Sequence, residues 1–194
     1  MRLMCLLAAI GALGSASAQA PSAVEIGPIQ VYMTAEEAQA KIFPTFASTR
    51  LEVKAVPTAL KEQAEAQLGR RFAEDSLRVH LLYDAADRLL GYAMVTEEIG
   101  KYRPITFMVG VDPQFKVEGA AVLIYRESRG GEIRRSRFLR QYRGKSSADP
   151  IRINRDIVNI SGATMSVRAL NFSVRKLLYL TQALYAPSSL GARR

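Results

Sequence analysis

Residues 159–170 read Asn-Ile-Ser-Gly-Ala-Thr-Met-Ser-Val-Arg-Ala-Leu, and they hold the side chains best suited to chemistry. Thr164 offers a hydroxyl, Ser161, Gly162 and Ala163 before it are small, and the residues after it have helical spacing. At a helix start the backbone amides lack intrahelical partners, and the helix dipole leaves partial positive charge. A phosphate linked to Thr164, or held beside it, is stabilised there. Gly162 has no Cβ and Ala163 has the smallest one, so a bulky group can approach the backbone closely. Arg168 lies one helical turn after Thr164, on the same side, within reach of a phosphate oxygen. The plainer reading of the same residues is a turn followed by a threonine N-cap.

The helix that must position Thr164 is the clearest element in the chain. Leu170, Val174, Leu177, Thr181 and Leu184 recur at helical spacing, and Leu178 and Tyr185 widen the apolar face. The helix is predicted to start near Thr164 or Met165 and to end before Pro187, leaving residues 187–194 as a flexible tail. Upstream, the chain reads as antiparallel strands: Leu77 to Tyr83 alternates, Asp84–Asp87 is a turn, and Leu89 to Thr96 is the next, apolar strand. Pro104 to Val111 and Val117 to Arg126 form a second pair around Asp112–Phe115. With Leu77, Val79, Leu81 and Tyr83 turned inward, His80 points outward. Near the N-terminus, Thr34 and Glu37 have capping-box spacing for a short helix that Pro44 stops. A second helix runs from about Thr58 to Leu68, with Gly69 as its C-terminal cap. The fold class is α+β: an antiparallel sheet, a C-terminal helix starting at the Ser-Gly-Ala-Thr motif, and short N-terminal helices forming an extension over residues 19–75.

Met1–Arg2, the apolar run from Leu3 to Gly14 and the small residues Ser15 to Ala18 form a secretory signal, with cleavage expected after Ala18. The apolar run is shorter than the roughly 20 residues a membrane span needs. Cys5 is the single cysteine and leaves with the signal, which excludes a disulfide, a thiolate metal site and cysteine-attached haem in the mature protein. With His80 as the single histidine, no metal site is expected. The formal charge of the whole chain is +9, and residues 126–145 alone carry +6. Export makes nucleic acid a poor partner for this basic segment. It leaves an anionic membrane surface, an acidic redox partner, a phosphate-bearing ligand or only water.

Three ordered segments carry a family resemblance. "SGATMS" resembles the flavinylation motif of FMN-binding domains, found in one subunit each of sodium-pumping NADH:quinone reductase and the Rnf electron-transport complex. "VGVDPQFKVEGAAVLIYRESRGGEI" is similar to the family's strand, turn and strand followed by Glu-x-x-Gly, matched at Glu127 and Gly130–Gly131. "FLRQYRGK" is similar to its Phe-x-x-Gln-aromatic-x-Gly-Lys, matched at Phe138, Gln141, Tyr142, Gly144 and Lys145. "GKYRPITFMVGVD" looks like free-standing exported members. The resemblance spans about Leu89 to Leu180 and makes residues 76–186 an FMN-binding domain.

It implies FMN joined through its phosphate to Thr164 by a flavin transferase of the ApbE type, which uses FAD and magnesium. Ser161, Gly162, Ala163, Glu127, Gly131 and Gln141 would then line the flavin site, with Arg168 near the phosphate. The implied protein is a periplasmic electron carrier working with an envelope or membrane redox partner, without a catalytic residue or substrate of its own. Family motifs usually place Asp where this chain has Val158, and a second Ser or Thr where it has Val167. These departures motivate the alternative, a non-flavinylated binding or sensory module of the same fold within an envelope redox complex. A hydrolase using Ser161 or Thr164 as nucleophile is a third class, with no base nearby in sequence.

Overall fold

The computed structural model describes residues 27–187. The signal segment, its cleavage point and residues 188–194 of the tail lie outside the described residues. The elements in chain order are β1 (Gln30–Val31), α1 (Ala35–Ile42), β2 (Ser48–Ala55), α2 (Thr58–Leu68), β3 (Ser76–Tyr83) and β4 (Leu89–Ile99). They continue with β5 (Pro104–Val111), β6 (Val117–Tyr125), α3 (Ser136–Leu139) between two short 3-10 turns, and α4 (Thr164–Tyr185). The strands form one antiparallel sheet in the order β1-β6-β5-β4-β3-β2, an α+β fold.

Both N-terminal helices form where their sequence signals stand. Thr34 Oγ1 accepts the Glu37 amide at 3.1 Å, and Glu37 Oε2 accepts the Thr34 amide at 2.8 Å, a reciprocal capping box. Gly69 ends α2 in the left-handed region at φ 71°. The extension is not helical throughout, however. Between its helices, β2 pairs with β3 along its whole length, from Ser48↔Tyr83 to Ala55↔Ser76. Its alternation is inverted for a core-facing strand, which hides it in the sequence. Leu51 and Val53 are 43% and 59% exposed, while Glu52 and Lys54 on the other face meet Tyr185 of α4. The sheet thus draws both edge strands from residues before Leu68.

The two faces of the sheet are covered unequally. α4 crosses one face over Val79, Met94, Phe107 and Val109, burying Val167, Leu170, Val174 and Leu177. Each such side chain contributes roughly 1.5–3 kcal/mol on removal from water. α1 covers part of the other face, where Ala38, Ile42 and Phe43 pack on Leu82, Met108 and Leu123. His80 lies on this second face, half-buried; burial and then Arg78 hold its imidazole below the ordinary value.

Lys176 of α4 is 1% exposed and carries its charge into the core. Its Nζ lies 2.5 Å from Glu74 Oε1 and 2.8 Å from Glu98 Oε1, and Arg70 reaches the second oxygen of Glu98 at 2.9 Å. The rings of Phe72 and Phe172 lie 5.7 and 5.6 Å from the ammonium. Removing one partner from such a group leaves uncompensated buried charge, which costs about 3–5 kcal/mol. Lys176→Ala is therefore expected to lower the unfolding free energy by about that amount in urea titrations at neutral pH. Burial alone would raise the Glu74 carboxyl, but Lys176 outweighs it and holds the group below its ordinary 4.5. With a depressed folded-state value, the contribution of Glu74 is complete above pH 4.5 and fades as pH falls through the lower value. Urea midpoints taken from neutral pH downward should lose part of this acid-side decline in Glu74→Gln.

Candidate functional site

The site forms where the first turn of α4 meets the segment leaving β6. Thr164 is the first helical residue and Ala163 the N-cap, so no side chain caps the helix start. The threonine therefore does not act as the cap. The amides of Thr164, Met165 and Ser166, at the first three helical positions, face outward by helix geometry. Thr164 is half-buried, and its Oγ1 accepts a hydrogen bond from Asn159 Nδ2 at 2.9 Å. The other atom of that amide, Asn159 Oδ1, is buried without a partner. Gly162 has φ +78°, and a Cβ built on it meets nothing within 4 Å. Its glycine thus answers to the backbone conformation, and the space beside it is open.

The opposing wall is the segment from Glu127 to Gly131. Glu127 is 4% exposed, and its Oε1 accepts the amides of Tyr102 at 2.6 Å and Arg103 at 3.1 Å. This carboxylate joins the β4–β5 turn to the end of β6. Gly130, at φ +92°, sits so tightly that a Cβ would stand 2.6 Å from Tyr125 Oη and 2.9 Å from Ser166 Oγ. Tyr125 Oη donates to the Arg129 carbonyl and shares a 2.9 Å hydrogen bond with Ser166 Oγ. Burial pushes its hydroxyl up to about 12, with the Ser166 bond opposing. At neutral pH it is a donor. Tyr32 stacks on Tyr125 with ring centroids 6.4 Å apart, and Arg134 lies over Tyr32 at 4.7 Å.

Two clefts result, sharing Glu127, Ser128, Arg129 and Gly162. The larger, about 540 Å³, contains Ala163 and Thr164 with Tyr102 and Met165. The smaller, about 420 Å³, contains Gly131 and Ser161 with Tyr32 and Tyr125. Six of the residues named from sequence are thereby brought together: Glu127, Gly131, Ser161, Gly162, Ala163 and Thr164. Two are placed elsewhere. Gln141 lines neither cleft; its Oε1 accepts the Val158 amide at 2.7 Å and so steadies the strand of chain leading to the motif. Arg168 lines neither cleft; its guanidinium lies 4.0 Å from Met165 Sδ and opens into another depression. Tyr32, Tyr102, Tyr125, Asn159 and Ser166 join the site without having been singled out by sequence. The place of Ser166 within the motif and of Asn159 beside it is the signal that pointed to two of them.

Much of the basic segment 126–145 is used internally. Arg126 pairs with Glu97 at 3.3 Å, Arg143 with Glu118 at 2.6 Å and Lys145 with Asp156 at 2.9 Å. Arg134 is held over Tyr32, and Arg129 and Arg135 face the clefts. Among the described residues, no helix is long and apolar enough to cross a membrane.

Sheet, long helix and uncapped helix start beside a divided cleft define a small α+β ligand-binding domain. Residues 100–179 match the FMN-binding domain family, so the resemblance carried by the motifs holds across the segment containing both walls of the site. Among solved structures, NqrC of Shewanella oneidensis is similar in fold, with TM-score 0.51 and 15% identity over 74% of this chain and 81% of its own. The corresponding protein from the Na⁺-translocating NADH-quinone reductase of Parabacteroides distasonis gives TM-score 0.49 and 15% identity over 81% and 87%. No curated protein matches the chain.

The two glycines of the site make different demands. Gly162→Ala faces only left-handed strain and should cost about 1 kcal/mol. Gly130→Ala adds the collision with Tyr125 and Ser166 and should cost about 2 kcal/mol beyond that. Urea unfolding of the two variants tests this; equal losses would show that the Gly130 contact does not constrain the site.

Proposed function

We propose that this protein is an exported electron carrier whose FMN is joined through its phosphate to Thr164 by a flavin transferase of the ApbE type. One observation carries the reading: Thr164 lines the larger cleft at a helix start that no side chain caps. The match of residues 100–179 to FMN-binding domains supports FMN as the ligand and electron transfer as the role.

The residues present fit such a group. The three leading amides and the positive end of the helix favour phosphate oxygens next to Thr164. Gly162 leaves the approach clear, and Asn159 holds Oγ1 by a 2.9 Å hydrogen bond. In the attachment, Thr164 Oγ forms a bond to the FMN-side phosphorus of FAD, the pyrophosphate P–O bond breaks, AMP departs, and the threonine proton is lost. A threonine hydroxyl is a weak nucleophile, so the transferase supplies the activation. The attached group supplies one- and two-electron transfer, its ring unaltered by linkage at the phosphate. Around it, Glu127 keeps the 100–103 turn closed against the end of β6, and Tyr125 holds the Gly130 segment to the helix. The family resemblance, together with the fold of NqrC, supports a redox partner in the envelope.

Export belongs to the same reading, and the mature protein is expected to begin at Gln19. Coexpression with a flavin transferase in a host that exports the protein should raise its intact mass by FMN less one water and give it a flavin spectrum. Thr164→Val should remove both and Thr164→Ser should keep them. An unmodified, colourless wild type beside an active transferase would leave only the non-flavinylated binding module.

A further inference from the structure

Behind the first turn of α4 lies a cleft of about 350 Å³ that shares no residue with the two clefts of the flavin site. Arg168, Asn171 and Arg175 project into it from one stripe of α4, at i, i+3 and i+7, and Arg152 enters from the facing loop. An adjoining depression of about 300 Å³ shares Arg152 and Arg175 and adds Arg155. No carboxylate lines the first cleft. In the second, Asp149 already accepts from the amide and hydroxyl of Ser146 at 2.8 and 3.0 Å. The nearest acid on the loop, Asp156, is tied to Lys145 and to the amides of Ile151 and Arg152. Among the described residues, no ion pair reaches Arg152, Arg155, Arg168 or Arg175.

The arrangement is also ordered. Arg175 donates to the Leu68 and Gln67 carbonyls at the end of α2, both at 3.5 Å, which fixes its fork. Burial, and then the like charge of Arg152, pull its guanidinium below the ordinary value. Asn171 is 6% exposed; its Oδ1 accepts from Tyr142 Oη at 2.6 Å, and its amide nitrogen has no partner among the described residues. Arg152, Arg155 and Arg168 are exposed and Arg175 is half-buried, so the two depressions gather like charges and a spare donor at an open surface, where an anion offsets their mutual repulsion.

We propose that this cleft is a second ligand site, for a phosphate monoester dianion, bound by Arg152, Arg168 and Arg175 with the Asn171 amide beneath. Three guanidiniums line the one cleft with N–H donors left for a tetrahedral group, and a dianion offsets more of their charge than a carboxylate does. Inorganic phosphate and the headgroup of phosphatidic acid share this chemistry. The site does not depend on flavin, so Thr164→Val protein should bind phosphate as the wild type does.

The test uses the mature full-length protein in calorimetric titrations with inorganic phosphate at pH 8 and constant ionic strength, and in sedimentation with phosphatidic acid or phosphatidylcholine vesicles. Arg152→Gln/Arg168→Gln, both exposed and outside any ion pair, should keep the wild-type urea midpoint. It should weaken phosphate binding at least about tenfold, while Arg137→Gln changes it less than about twofold. Saturable binding of inorganic phosphate, lost in the double variant, supports the site with a free ligand. Sedimentation with phosphatidic acid alone, lost in the double variant, supports it with a lipid headgroup. Absence of both, or binding unchanged in the double variant, overturns the proposal.

Discussion

A single phenol sets the geometry of the site. Tyr125, the last residue of β6, reaches across to the first turn of α4 and holds the Arg129 carbonyl and the Ser166 hydroxyl together. Its hydroxyl, protonated through the physiological range even at the ordinary value of 10 and pushed by burial up to about 12, keeps donating. Both walls of the divided cleft are defined by this contact: the glycine-rich segment cannot leave the helix start without stranding a buried polar group. Tyr32, stacked on the outer face of Tyr125, extends the same support to the N-terminal edge of the sheet.

The legible parts of the sequence are those in which one local rule decides the outcome. The long helix and its start at Thr164 follow from apolar spacing, and the first short helix follows from Thr34 and Glu37. The strand pairs from Leu77 to Tyr125 follow from one alternating run, three apolar runs and the turns between them. β2 was not legible because its charged residues face α4 and its apolar ones face outward, the reverse of the pattern that marks a core strand. Of the site, Thr164 with its small neighbours, Glu127 and Gly131 could be read because they recur in an ordered family pattern. Arg168 shows the limit of helical arithmetic. One turn from Thr164 shares a side in projection, yet the guanidinium leaves along Met165 toward a different cleft. Tyr125 and Tyr32 were invisible because their role arises from contacts between residues far apart in the chain.

Charge tells a similar story. The basic run from Arg126 to Lys145 is conspicuous in the sequence, but Glu97, Glu118 and Asp156 meet three of its members and an aromatic ring meets a fourth. Arg152, Arg155, Arg168 and Arg175, outside that run and on either side of the motif, make no ion pair among the described residues. Local density in a sequence is therefore an incomplete guide to the electrostatic surface of this fold, because folding pairs some members of a close run and brings distant arginines together.

The buried ammonium of Lys176 has a mechanical consequence at the other end of its helix. Held by Glu74 and Glu98, it prevents α4 from sliding along its axis or turning about it. Thr164 stands twelve residues earlier, about 18 Å away at the rise of an α-helix. A shift of one residue at the anchor would swing the threonine by roughly 100° around the axis. A charge deep in the protein thus acts as the pin of a rigid lever, setting the bearing of a hydroxyl that it never touches.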